Sequence, residues 1–212
     1  MARCTDCGIL ACRTGELDKL PTKGFCPMQI HAEVLSEARK KYDAPSLRKV
    51  SQEAARVEAT GYCEWTRLEE TMEFADRMGI KKLGIAYCIG LRHEARTLAD
   101  IYLENGFEVV SVCCKSGSIP KEEIGLKDDE KIRPGQYESV CNPIGQAMVM
   151  NAEGTGLNII LGLCVGHDSL FIKHSEALVT CLIAKDRVLA HNPIGAVYTS
   201  KSYYRTKLYE RE

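Results

Sequence analysis

Residues 81–116 read KKLGIAYCIGLRHEARTLADIYLENGFEVVSVCCKS, and this stretch decides the fold. Leu83 to Tyr87 is a short apolar run of strand length. Leu91 to Asn105 has helical spacing, with Leu91, Ala95, Leu98, Ala99, Tyr102 and Leu103 along one face. Gly106 supplies a natural stop for that helix. Phe107 to Val112 is a second apolar, β-branched run. Strand, helix and strand at this length predict a parallel crossover unit.

The strand ends carry the chemistry. The first strand runs into Cys88-Ile89-Gly90, and the second into Cys113-Cys114. Ligands of open parallel sheets bind in the crevice beyond the carboxyl ends of the strands. Cysteines there stand where a metal, a cluster or a substrate would sit, although a cysteine also serves as a small core hydrophobe.

The pattern recurs downstream. Leu157 to Leu163 predicts a third strand, ending at Cys164-Val165-Gly166-His167-Asp168, with a short helix over Asp168 to His174. Leu178 to Ala184 predicts a fourth strand, with Cys181 expected as a buried thiol at its middle. Asp186-Arg187 reads as a turn. Between the two halves, Cys141-Asn142-Pro143-Ile144-Gly145 marks a helix start, with Asn142 as cap and Pro143 in the first turn. That helix is expected to reach Glu153. Cys141 then lies just ahead of a helix amino terminus, where partial positive charge favours a thiolate. His191-Asn192-Pro193-Ile194-Gly195 repeats the helix start, so the halves read as a diverged repeat. The loop after Cys114 is long and polar, as lids and binding loops often are. It lacks the phosphate-binding P-loop pattern, and a Rossmann glycine fingerprint is absent, so no dinucleotide is predicted.

The amino terminus holds a second cysteine set. Cys4, Cys7, Cys12 and Cys26 follow the spacing C-x2-C-x4-C-x13-C. A two-residue gap lets Cys4 and Cys7 face one ion from a tight turn. Gly and Pro break up the rest of the segment, and a region so poor in core residues needs a staple. The uneven spacing and the Cys26-Pro27 pair lean toward iron–sulfur, with zinc as the alternative at this site. His31 is an ordinary surface residue or a substitute ligand. Helices are expected from Pro27 to Tyr42, Ser46 to Thr60 and Glu64 to Met78, with Trp65 packing and Cys63 a spare buried thiol between helices.

The chain has 212 residues, a net charge of -1 and 11 cysteines. The charge balance implies no general attraction to nucleic acid. The tyrosines and basic residues after Ser200 give only weak grounds for RNA binding. The start MARCTDCG reads as no signal peptide, and no apolar run is long enough to span a bilayer. A cytoplasmic location is expected. Reducing conditions there make a disulfide framework unfavourable, and the odd count agrees, so metal or redox chemistry is the default reading, with the internal disulfides of a hyperthermophile as the exception.

These readings predict an α/β fold: a Rossmann-like parallel sheet with flanking helices, preceded by a cysteine-rich segment and helices. The expected segments are 1–26, 27–80 and 81–212, the last two forming one compact unit. Cys88, Cys141 and Cys164, with Cys113 or Cys114, are expected to converge at one end of the sheet. Three cysteines on a four-iron, four-sulfur cluster would leave one iron open as a Lewis acid. His167, Asp168, His93 and Glu94 are candidate general acids, bases or substrate-orienting groups. The expected partner is a small-molecule substrate or a redox partner. A non-catalytic metal or cluster protein with a structural zinc at Cys4, Cys7, Cys12 and Cys26 is the competing reading.

CTDCGILAC near the start, LGIAYCIGLRHEA, CNPIGQA, LGLCVGHDSLF and HNPIGAVY together resemble a prokaryotic family, the cysteine-rich domain of unknown function 1847. The resemblance covers nearly the whole chain. It implies metal binding through the cysteines and supplies no substrate and no catalytic role.

Overall fold

Glycine and proline set the boundaries in the amino-terminal part of the chain. The computed structural model describes residues 1–22 and 24–210. The chain divides into two units, Met1–Thr60 and Gly61–Glu212. The segment 27–80 straddles that division, because its third helix falls within the second unit.

In the first unit, α1 (Ala11–Thr14) ends at Gly15, whose left-handed φ of 77° closes the turn. Pro27 opens α2 (Pro27–Ile30), as its fixed φ suits a first helical turn. The single helix expected to reach Tyr42 is broken at His31, where φ is -132°. It resumes as α3 (Ala32–Lys41), and Pro45 starts α4 (Pro45–Gly61).

In the second unit, Trp65 packs across Gly61, where an added Cβ would come 2.3 Å from the indole. Next comes α5 (Arg67–Met78), which begins later than the expected Glu64. The reason is a reciprocal cap: Thr66 Oγ1 accepts the Glu69 amide, and the Glu69 carboxylate accepts the Thr66 amide at 2.7 Å.

The sheet follows. Its strands are β1 (Lys82–Tyr87), β2 (Glu108–Cys113), β3 (Leu157–Leu161) and β4 (Leu178–Ile183). The first crossover is α6 (Arg92–Glu104); α7 (Pro143–Glu153) precedes β3, and α8 (His167–His174) links β3 to β4. All pairings are parallel in the order β2-β1-β3-β4. This is the Rossmann-like parallel sheet with flanking helices that the apolar runs predict. Short helices α9 (Ile194–Tyr198) and α10 (Arg205–Tyr209) follow.

Strand alternation sorts the core into two faces. Leu83, Ile85, Leu157, Ile159 and Leu161 pack on Ala75 of α5 and on Ala95, Leu98 and Tyr102 of α6. Leu103 of the expected α6 face is instead exposed. Ala86, Val112 and Ile160 pack on Ala147 and Met150 of α7 and Phe171 of α8. Helices therefore cover both faces, as all-parallel sheets require.

Two expected buried thiols are on the surface. Cys181 is exposed, because β4 is an edge strand. Cys63 is exposed at a positive φ of 60° in the turn after α4. The second Asn-Pro-Ile-Gly also departs from the first. Asn142 accepts the Gly145 amide at 2.9 Å and caps α7, whereas Pro193 stands at the cap of α9, with no side-chain cap there.

Candidate metal centre

Register carries the strand ends to one level. Tyr87 pairs with Cys113 on one side and with Leu161 on the other. The residues just beyond, Cys88 and Cys114, therefore emerge together at the carboxyl edge. The chain leaves β1 for β2 on one side and later returns to add β3 on the other. The crevice between the ends of β1 and β3 is thus a topological switch point, the usual ligand position in open α/β sheets. Cys88 follows β1 directly, and Cys164 follows β3 by way of Gly162 and Leu163.

Backbone ties fix the thiols. The Cys88 amide donates to the Leu161 carbonyl at 3.1 Å, and the Cys114 amide to the Tyr87 carbonyl at 2.9 Å. The Asn142 amide donates to the Cys114 carbonyl at 2.7 Å, which brings Cys141 and the start of α7 beside Cys114. Gln146, fully buried on α7, donates to the carbonyls of Tyr87 at 3.2 Å and Val112 at 2.6 Å. It holds the ends of β1 and β2 at a fixed spacing from the helix.

The resulting arrangement is a row of sulfurs. Cys114 lies within hydrogen-bond reach of both Cys88 and Cys141. Cys141, Cys164 and His167 bring ligand atoms within 4.8 Å of one another, the one such set of three among the described residues. His167 Nδ1 is buried, with no hydrogen-bond partner. The Cys113 sulfur accepts the Lys115 amide at 3.5 Å and lies within hydrogen-bond reach of the Tyr87 hydroxyl.

Three cations line the row. Lys185 Nζ stands 3.2 Å from Cys88 Sγ, Lys115 Nζ 3.5 Å from Cys141 Sγ, and Arg187 Nη2 3.0 Å from Cys164 Sγ. The thiol of Cys114 beside it, together with the Gly90 amide and Lys185, holds Cys88 down to about 4 against burial. Cys141 is held down to about 5, first by Cys114 and then by Lys115 and His167. Cys114, hydrogen-bonded to two more acidic neighbours and buried, is pushed up and keeps its proton. Soft thiolates beside an imidazole are a donor set suited to zinc or to an iron–sulfur cluster.

The other expected site residues lie as follows. His93 and Glu94 are exposed on the first turn of α6. Asp168 is half-buried, and its Oδ1 accepts the Ser169 amide at 2.8 Å. In the first unit, the Arg3 amide donates to the Phe25 carbonyl at 3.1 Å and sets Cys4 beside the chain that carries Cys26. Cys7 Sγ accepts the Leu10 amide at 3.5 Å. Among the described residues, no three of Cys4, Cys7, Cys12 and Cys26 bring their sulfurs within the spacing reached at Cys141, Cys164 and His167.

Lys115, Lys185 and Arg187 escaped the sequence reading. Asp186-Arg187 reads as a turn, and so it is: the Asp186 carboxylate accepts the amides of Val188 and Leu189. Lys185 and Arg187 follow β4 as Cys88 follows β1 and Cys164 follows β3, so the end of the fourth strand is the sequence signal for them.

The family described as protein of unknown function DUF1847 matches residues 26–182. That stretch includes the crevice cysteines and stops short of Lys185 and Arg187. An uncharacterized protein of Methanocaldococcus jannaschii, MJ0455, is 46% identical over 208 residues, covering 98% of each chain. No solved structure matches. Among the described residues, no helix is long and apolar enough to cross a membrane.

Proposed function

This chain belongs to that family of proteins of unknown function, so its activity must be read from its own residues, and we propose that it is an iron–sulfur protein acting on a small molecule. The carrying observation is the meeting of Cys141, Cys164 and His167 at the switch-point crevice, with Cys88 joined to them through Cys114. Cys88, Cys141 and Cys164 would hold a four-iron cluster, with Cys114 and His167 beside it. His167 Nδ1, buried and unpartnered, supports a ligand or donor role next to the two sulfurs. When bound, a cluster on three cysteines supplies an open iron as a Lewis acid and an electron store. The chain's own residues orient the substrate and set the charge of the crevice. Redox or lyase-type chemistry fits such a site.

The test is oxygen-free purification with iron, sulfide and zinc analysis. Iron and sulfide with broad absorbance near ~400 nm are expected. Cys88→Ser and Cys164→Ser should each lower the iron content. Iron-free wild-type protein, or unchanged iron in both variants, would overturn the reading.

A second reading rests on the first unit. The Cys7 sulfur accepting an amide from the turn after it is a geometry that suits a bound thiolate. Zinc held by Cys4, Cys7, Cys12 and Cys26 in a non-catalytic protein would leave the preparation colourless. Its metal would then survive Cys88→Ser and be lost in Cys7→Ser.

A further inference from the structure

Each cysteine assigned to the centre has its own cation, but the three cations are not equivalent. Lys115 Nζ also donates to the Ser139 carbonyl at 2.6 Å, which makes it part of the crevice wall. The stem of Lys185 runs over Gly162, and its ammonium lies against Gly90, where an added Cβ would be 3.6 Å away. Arg187 is exposed and commits one N–H to the Cys164 sulfur. Among the described residues, its remaining donors have no partner.

A guanidinium with an open fork at the mouth of a site is a receptor for an oxyanion, since two parallel N–H groups match a carboxylate or phosphate edge. The charge balance points the same way. A four-iron core on three thiolates carries about one negative charge, fewer than the cations facing it. Asp186 and Asp168 moderate the excess, yet both give oxygens to backbone amides nearby. The rim around the fork is open: Gly90 and Gly166 are exposed, and Val165 is 94% exposed.

We propose that Arg187, assisted by Lys185, receives a small oxyanion at the mouth of the crevice, so that the molecule handled there is a carboxylate or phosphate compound. This rests on the cluster reading given above and names its substrate class.

The test titrates anaerobically purified protein with malonate, with inorganic phosphate and with neutral malonamide. Calorimetry and the visible spectrum are the readouts, and iron is counted on every sample. Saturable binding of malonate or phosphate is expected, and the stronger of the two identifies the acid group. Malonamide should not bind. Arg187→Gln should weaken the anion by about tenfold or more, and Lys185→Gln by less, with iron retained. The proposal is overturned if neither anion binds, if malonamide binds as well as malonate, or if both variants bind as the wild type does. Iron-free wild-type protein would instead sink the cluster reading, while its calorimetric titration still judges the anion site.

Discussion

Lys185 Nζ lies 3.2 Å from Cys88 Sγ across 97 positions of sequence. The contact spans the sheet from the end of β4 to the end of β1, passing the end of β3. It gives Cys88 a cationic neighbour in addition to its main stabiliser, the Cys114 thiol. In metal-free protein, Cys88 and Cys141 should therefore be thiolates at neutral pH. Their ultraviolet thiolate absorbance should persist at pH 6 and fade only as pH drops through about 5 and 4. The sign follows from the direction of the shifts: a depressed thiol is charged above its folded value and neutral below it. Cys114→Ala should raise the Cys88 midpoint, and Lys185→Gln should raise it less. Thiolate absorbance that first grows in above pH 8 would contradict this.

Gly90, inside the first Cys-x-Gly motif, and Gly162, two residues ahead of the second, are not alike. At Gly90 an added Cβ meets only ordinary contacts, 3.6 Å from Lys185 Nζ and 3.9 Å from Cys88 Sγ. At Gly162 the backbone is left-handed, with φ of 67°, and a Cβ would come 2.2 Å from Leu91 Cδ1. Gly162→Ala should cost about 1–3 kcal/mol in urea unfolding. Gly90→Ala should stay within about 0.5 kcal/mol. Equal losses would refute the assignment.

Gln146 ties α7 to two strand ends through one buried amide group. Replacing it by leucine removes both bonds while keeping the bulk. The expected cost is about 1–3 kcal/mol, because the Val112 carbonyl loses a buried donor. The same variant should lower metal content by loosening the spacing between Cys88, Cys114 and Cys141. Normal stability with normal metal content would show that the amide positions nothing.

The loop between β2 and α7 is gathered by Glu138. Its carboxylate accepts from Lys121 at 2.6 Å and from the amides of Arg133 at 2.6 Å and Ile132 at 3.4 Å. Lys121 first, and then these amides, hold its carboxyl below the usual range. The contribution is thus present above the ordinary carboxylate pKa and is lost as pH falls through the lowered one. Compared at matched intrinsic rates, amides of residues 121–138 should exchange faster once pH has fallen through that lowered value. Glu138→Gln should show the faster exchange already at neutral pH. Unaltered exchange in that variant would exclude the role.

Apolar periodicity and punctuation made most of the second unit legible. Leu83 to Tyr87 and Leu157 to Leu161 announce strands because both faces of each are buried. Asn142-Pro143 announces α7 because the cap and the fixed φ act locally. What failed were features decided at a distance. Cys181 sits in an apolar run yet is exposed, since nothing local tells an edge strand from a central one. Asn192 precedes a proline as Asn142 does, but Ala190 and His191 adopt positive φ, and His191 accepts the Asp186 amide at 3.1 Å. That turn sets the chain direction before Asn192 can cap. Strand ends point Cys88, Cys114 and Cys164 toward one sheet edge, and the Asn142-Pro143 helix start does the same for Cys141. Which of Cys113 and Cys114 joins them depends on the face each takes at the end of β2, and the three cations arrive through tertiary contacts that spacing does not encode.

The switch point also has a temporal meaning. Cys88, Cys114, Cys141 and Cys164 come from four separate stretches, and β3 must slot beside β1 before the last of them arrives. A nascent polypeptide that has not yet delivered Cys164 holds only part of the crevice set, whereas Cys4 to Cys26 emerge early and close together. Maturation of the crevice is therefore coupled to completion of the sheet, and a ribosome stalled before that point would release a chain unable to assemble it.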